Sequence, residues 1–165
     1  MRTPKTRPGQ DAFRAVAALY QTHYRSLVRL AALLVSDQAT AEEIVQDSFT
    51  AVHGGWHTLA DTDAALSYLR RSVVLASRSA PRLPLAAGAP VPARAGDSQD
   101  DELPPIVSAL RALPVLEREV MVLRYFADLP EAEIASATGM STAAVRSHAA
   151  RAMSSLRAEL HRPYD

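Results

Sequence analysis

Residues 130–160 read PEAEIASATGMSTAAVRSHAARAMSSLRAEL, and this stretch decides the fold. Glu131 to Thr138 has the length and composition of a short helix. Gly139 follows it, the residue that most easily supplies the left-handed backbone of a tight turn. Ser141 is a good N-cap for a longer helix that carries Val145, Ala149, Ala152 and Leu156 on one side. Short helix, turn glycine, capped helix: this is a helix-turn-helix pattern, with Ile134, Ala135 and Val145 as the small apolar centre that sets the crossing angle. In such a motif the second helix enters the major groove by its N-terminal end. The outward residues near that end are Thr142, Ala143, Arg146, Ser147 and Ala150. Arg146 suits a guanine edge or a phosphate, Thr142 and Ser147 can donate to either, and Arg151 and Arg157 suit backbone contacts. The bland account of the same residues is a solvated basic helix in a helical bundle.

Upstream, Pro114 and Pro105 punctuate two further short helices. One carries Ile106, Leu110 and Leu113, the other Leu116, Val120 and Leu123. Before them lies PRLPLAAGAPVPARAGDSQDDELPP, residues 81–105, where repeated prolines forbid a helix or sheet interior. It reads as a flexible linker, acidic at Asp97, Asp100, Asp101 and Glu102. The N-terminal half shows helical periodicity again. Phe13, Val16, Tyr20, Tyr24, Leu27, Ala31 and Leu34 form an apolar stripe that predicts a helix from about Asp11 to Val35. Thr40-Ala41-Glu42-Glu43 fits a capping box opening a second helix, with Val45, Phe49, Val52 and Trp56 on one side and Glu42, Gln46, Thr50 and His53 on another. Gly54-Gly55 weakens or ends it. A third helix, near Thr62 to Ser79, packs with Leu66, Leu69, Val73 and Ala76, and Pro81 stops it. The expected fold is therefore all-α: two small helical domains at 11–80 and 105–162, joined by a linker at 81–104.

Composition narrows the function. The chain has 165 residues, 48% of them hydrophobic, enough for a core. It has no cysteine, which excludes a disulfide scaffold, a thiol catalyst and a cysteine-based metal centre. His53 and His57 are spaced for one metal on an unbroken helix, but Gly54-Gly55 lies between them and no third ligand has a recognisable spacing; no metal and no cofactor are expected. There is no Gly-rich phosphate loop and no nucleophile elbow, so catalysis by this chain is not expected. No apolar run reaches membrane-spanning length, and the basic start MRTPKTRPGQDAFR lacks the apolar core of a signal peptide; a cytoplasmic protein with no membrane insertion is expected. Net charge is zero, yet from Ser141 onward Arg146, Arg151, Arg157, Arg162, His148 and His161 face only Glu159 and Asp165.

Taken together, these residues resemble the extracytoplasmic-function (ECF) sigma factors of the sigma-70 family, which consist of a σ2 and a σ4 domain joined by a linker. The resemblance runs from about Phe13 to Leu160. It rests on ATAEEIVQDSFTAV (Ala39 to Val52), similar to the σ2 helix that docks on the polymerase β′ clamp helices, and on the stretch from Ala109 to Arg157, similar to a whole σ4 domain. The resemblance implies bacterial core RNA polymerase and promoter DNA as partners, with an anti-sigma factor as a common third. It implies polymerase contact through Glu43, Gln46 and Asp47. It gives the third helix the task of melting and reading the −10 element, with Tyr68 stacking on a base and Arg70, Arg71 and Arg78 on phosphates. It gives the −35 element to Thr142, Ala143, Arg146, Ser147 and Arg151, seats the helix of Leu116 to Phe126 on the polymerase flap, and threads the linker through the RNA exit path. The chain departs from the family at Leu75, where Asn is usual, at the stop at Pro81, and at His148, where a basic residue is common. Those departures keep two other readings open: a σ-like interaction protein that does not start transcription, and a stand-alone helix-turn-helix regulator. A response regulator is disfavoured, because the N-terminal half lacks alternating strands and helices.

Overall fold

The computed structural model describes residues 8–35, 37–80 and 104–161. Among them the chain forms seven α-helices and no strand: α1 (Pro8–Val35), α2 (Gln38–Gly55), α3 (Thr62–Ser79), α4 (Pro105–Ala112), α5 (Val115–Tyr125), α6 (Glu131–Thr138) and α7 (Thr142–Leu160), with a single 3-10 turn at Trp56–Thr58. Residues 81–103 of the expected linker, with its acidic residues, and residues 1–7 of the basic N-terminal start lie outside the described residues.

Local chemistry explains the boundaries. The Asp61 carboxylate accepts from the Ala64 amide and starts α3. Pro105 opens α4 as its first residue. Gly139 adopts φ 73°, the left-handed conformation that ends α6, and the Ser141 hydroxyl caps α7 by accepting from the Ala144 amide at 3.1 Å. One expectation is corrected here. The cap of α2 is Asp37, not Thr40: its carboxylate accepts from both the Thr40 amide and the Thr40 hydroxyl. A carboxylate is the stronger acceptor at a helix N-terminus, so it takes the role and Thr40 becomes its donor.

The helices bury what their periodicity requires, with instructive exceptions. Leu27, Ala31, Leu34, Val45, Phe49, Val52, Leu69 and Val73 are buried as expected, as are Val145, Ala149, Ala152 and Leu156 of α7. Phe13 is 65% exposed and Tyr20 40% exposed, so the apolar stripe does not bury the first turns of α1. Ala76, Ile106 and Leu116 are also exposed. In exchange α1 buries Leu19, Val28 and Leu30, because it is covered on more than one side, by α2, α3 and α5.

That third neighbour is the main architectural finding. The principal core runs continuously from Leu27, Val45, Leu69 and Val73 of the N-terminal half into Val120, Leu123, Leu129, Ile134 and Val145 of the C-terminal half. A smaller core, Ala109, Leu110, Leu113, Met121, Ala152 and Leu156, belongs to the C-terminal half alone. The two halves are thus closed on each other, α3 against α6 and α1 against α5.

Candidate nucleic-acid interface

The helix-turn-helix is built as its sequence demands. Thr138 bonds its hydroxyl back to the Ile134 carbonyl, Gly139 turns the chain, and Ile134 and Val145 are fully buried between α6 and α7. This presents Thr142, Ala143, Arg146 and Ser147 to solvent along one side of the N-terminal part of α7. Arg146 has 68% of its side chain exposed, but its Nε lies 2.7 Å from the Glu131 carboxylate at the start of α6. Arg151 is held more firmly: its Nε donates to Glu117 of α5 at 3.1 Å, and its Nη2 lies 2.8 Å from His148 Nδ1. A guanidinium only donates, so Nδ1 is the acceptor there.

On α2, Glu43, Gln46 and Asp47 are all exposed, and their spacing of three and four sets them on one face. Behind them stand three aromatic rings. Tyr20 and Tyr24 stack at 4.4 Å between centroids, and Phe49 meets Tyr20 edge-on at 5.1 Å. Desolvation in this cluster, and then the neighbouring Tyr24, raise the Tyr20 hydroxyl pKa above its ordinary value. The Tyr24 hydroxyl accepts from Gln46 Nε2 at 3.4 Å, and Gln38 donates to Glu42 at 2.8 Å. The acidic face is therefore carried on a rigid support.

The arginines of α3, expected on phosphates, have partners within the chain. Arg78 makes a two-pronged contact with Glu119 of α5, Nε to Oε1 at 2.8 Å and Nη2 to Oε2 at 2.7 Å, and Nη2 also donates to the Thr138 carbonyl at 2.9 Å. The hydrogen bonds that Arg78 donates to Glu119 raise its pKa above the usual arginine value, against the opposing effect of burial. Arg70 lies 3.5 Å from Glu133, and Arg71 donates to the Ser136 carbonyl at 3.5 Å, both on α6. Tyr68 and Leu75, 43% and 40% exposed, share the outer side of α3. So the structure brings Arg70, Arg71 and Arg78 together, but against the C-terminal half.

Sequence reasoning missed three residues that matter for this arrangement. Glu119 is 1% exposed and Glu117 7% exposed, two carboxylates buried as partners of Arg78 and Arg151. Arg118 donates to the Leu34 carbonyl at the end of α1 and to the Arg111 and Leu113 carbonyls at the end of α4, a cation at two helix C-termini. No spacing rule pairs residues so far apart in the chain. The run Leu116-Glu117-Arg118-Glu119-Val120 reads as the exposed side of an ordinary amphipathic helix and gives no local signal of their burial. No group of three or more potential metal ligands occurs among the described residues. No described helix is long and apolar enough to cross a membrane.

Comparison with known proteins agrees with this architecture. Sigma-70 region 2 matches residues 19–80, and sigma-70 region 4 matches residues 104–156. The chain is 30% identical over 146 residues to the RNA polymerase sigma-E factor of Streptomyces coelicolor, covering 85% of this chain and 82% of the relative. It is 32% identical to that of Streptomyces antibioticus, covering 86% and 82%. Among solved structures, CnrH in complex with the cytosolic domain of CnrY superposes with a TM-score of 0.73 at 24% identity, covering 94% of this chain and 96% of the other. The chain belongs to the sigma-70 family of RNA polymerase sigma factors, in its extracytoplasmic-function group. Its function is that of the family: a transcription initiation factor that takes core RNA polymerase to promoter DNA.

Proposed function

We propose a division of labour among the helices of this sigma factor. The N-terminal unit, 11–80, recruits core polymerase through Glu43, Gln46 and Asp47 and engages the −10 element through Tyr68, Arg70, Arg71 and Arg78. The C-terminal unit, 105–162, reads the −35 duplex through Thr142, Ala143, Arg146, Ser147 and Arg151. The observation that carries this reading is the helix-turn-helix itself: a buried Ile134–Val145 centre, a left-handed Gly139, and an exposed polar row at the N-terminus of α7. The exposed acidic and amide face of α2 suits a basic coiled coil. The chain is not itself a catalyst; the polymerase does the chemistry, in the cytoplasm. CnrH bound to the cytosolic domain of CnrY, and RpoE of Bartonella quintana bound to the anti-sigma factor NepR, share this fold and support an anti-sigma protein as a further partner.

The test is equilibrium binding to bacterial core RNA polymerase at two salt concentrations, followed by transcription from a randomised double-stranded promoter library. Saturable binding that weakens in Asp47→Ala and in Gln46→Ala is expected, with a defined pair of elements recovered from the library. A folded protein that does not bind core polymerase would refute the assignment.

A further inference from the structure

Arg151 is held at two points, from two helices. Glu117 is buried in the first turn of α5, where the helix end favours a carboxylate, and its Oε1 accepts from Arg151 Nε at 3.1 Å. His148 precedes Arg151 by one turn of α7 and accepts from Nη2 at 2.8 Å through Nδ1, so the imidazole proton sits on Nε2. The two helices cannot drift apart. Met121 of α5, one turn after Glu117, shares the smaller core with Ala152, the neighbour of Arg151, and with Leu156. Of the five N–H groups of the guanidinium, Glu117 and His148 take one each, which leaves both donors of Nη1 for a ligand. The Arg151 side chain is 58% exposed. Arg146 has no such frame: its carboxylate neighbour, Glu131, is a more open side chain than Glu117 and approaches it at Nε alone.

We infer that Glu117 and His148 are positioning residues for promoter discrimination: together they fix the Arg151 guanidinium so that Nη1 meets one backbone phosphate of the −35 duplex. The inference rests on the assignment of Arg151 to that duplex. A phosphate contact carries no sequence information of its own, but it sets the register in which the first turns of α7 meet the bases. A fixed guanidinium makes the contact in one register and withholds it in others. An arginine held in advance also loses less freedom on binding. At the same time the Glu117 charge offsets that of Arg151 and lowers attraction to DNA of any sequence. Loss of Glu117 therefore acts with opposite signs on two kinds of DNA: it releases a cation for any phosphate and spoils its aim at the right one.

The test uses the full-length chain and two fluorescent duplexes of equal length. One is a promoter fragment recovered from the library, bound by holoenzyme. The other has random sequence and is bound by the free chain, where polymerase adds nothing. Arg151→Ala should weaken promoter binding and reduce its salt slope by about 1. Glu117→Ala and His148→Ala should each weaken promoter binding by roughly two- to tenfold, while Glu117→Ala tightens binding to the random duplex. Glu117→Gln keeps an accepting oxygen and should retain most of the promoter affinity. In the Arg151→Ala background neither alanine substitution should cost promoter affinity further. Two results overturn the inference: Glu117→Ala that tightens binding to both duplexes, as a charge alone would, or a loss of the same size with and without Arg151, as damage to the fold would give. Arg151→Ala that binds the promoter as wild type does would strike the −35 assignment of Arg151, and the inference with it.

Discussion

At the scale of single residues, the side chains best suited to nucleic acid are already in ion pairs. Arg146 illustrates the consequence. It stands at the exposed N-terminal part of α7 and leans on Glu131, one helix back. Arg146→Ala should weaken holoenzyme binding to a −35 duplex by about 1–3 kcal/mol, read by fluorescence anisotropy. Glu131→Gln should do the reverse, because it removes a competing carboxylate beside the groove. If both substitutions weaken binding, Arg146 is acting through its pair and not on DNA. Leu75 is a second case. It is exposed on the outer side of α3 near Tyr68, where an apolar side chain gains nothing from water. Leu75→Asn should leave stability within about 0.5 kcal/mol and increase open-complex formation, followed with permanganate footprinting of the −10 strand.

At the scale of elements, the helix-turn-helix depends on one backbone angle and one cap. A Cβ at Gly139 would meet nothing within 4 Å, so the cost of substitution comes from its φ of 73° alone. Gly139→Ala should cost about 1–2 kcal/mol, and Gly139→Asn less, since Asn tolerates that region better. Ser141→Ala removes the hydroxyl that accepts from Ala144 and should cost about 1 kcal/mol. Urea denaturation followed by circular dichroism separates these values. The element scale is also where the sequence was most legible. Prolines 105 and 114, Gly139 and Ser141 are punctuation with a mechanism, and the α3, α6 and α7 boundaries match their reading. The α2 cap was misplaced because a capping box and a plain Asp cap overlap in Asp37-Gln38-Ala39-Thr40-Ala41-Glu42-Glu43. The exposed Phe13 and Leu116 were misread because periodicity reports a face, not whether a neighbour extends far enough to cover it.

At the scale of the molecule, the closed arrangement of the halves was not legible at all. Arg78 meets Glu119 across 41 positions of sequence, and no local pattern encodes that pairing. Glu117 and Glu119 look like solvent-facing residues until a second helix supplies their arginines. The shared core carries its own expectation. Leu69 of α3 is fully buried, in the same cluster as Leu123 and Ile134. Thermal unfolding should therefore be a single cooperative transition, with calorimetric and van't Hoff enthalpies equal. Leu69→Ala should lower the stability of the whole by about 2–5 kcal/mol, and not of the N-terminal half alone. Two separate melting steps would show that the halves fold independently.

The internal matching of charge bears on where the molecule waits in the cell. Attraction to a chromosome irrespective of sequence comes from cations that displace the salt atmosphere around phosphates. Here Arg70, Arg78, Arg146 and Arg151 each face a carboxylate of the same chain, and 18 basic residues balance 18 acidic ones. While those four pairs hold, these cations have less to exchange with the ion cloud of the genome, so attraction to non-target DNA should rise when their carboxylate partners are neutralised.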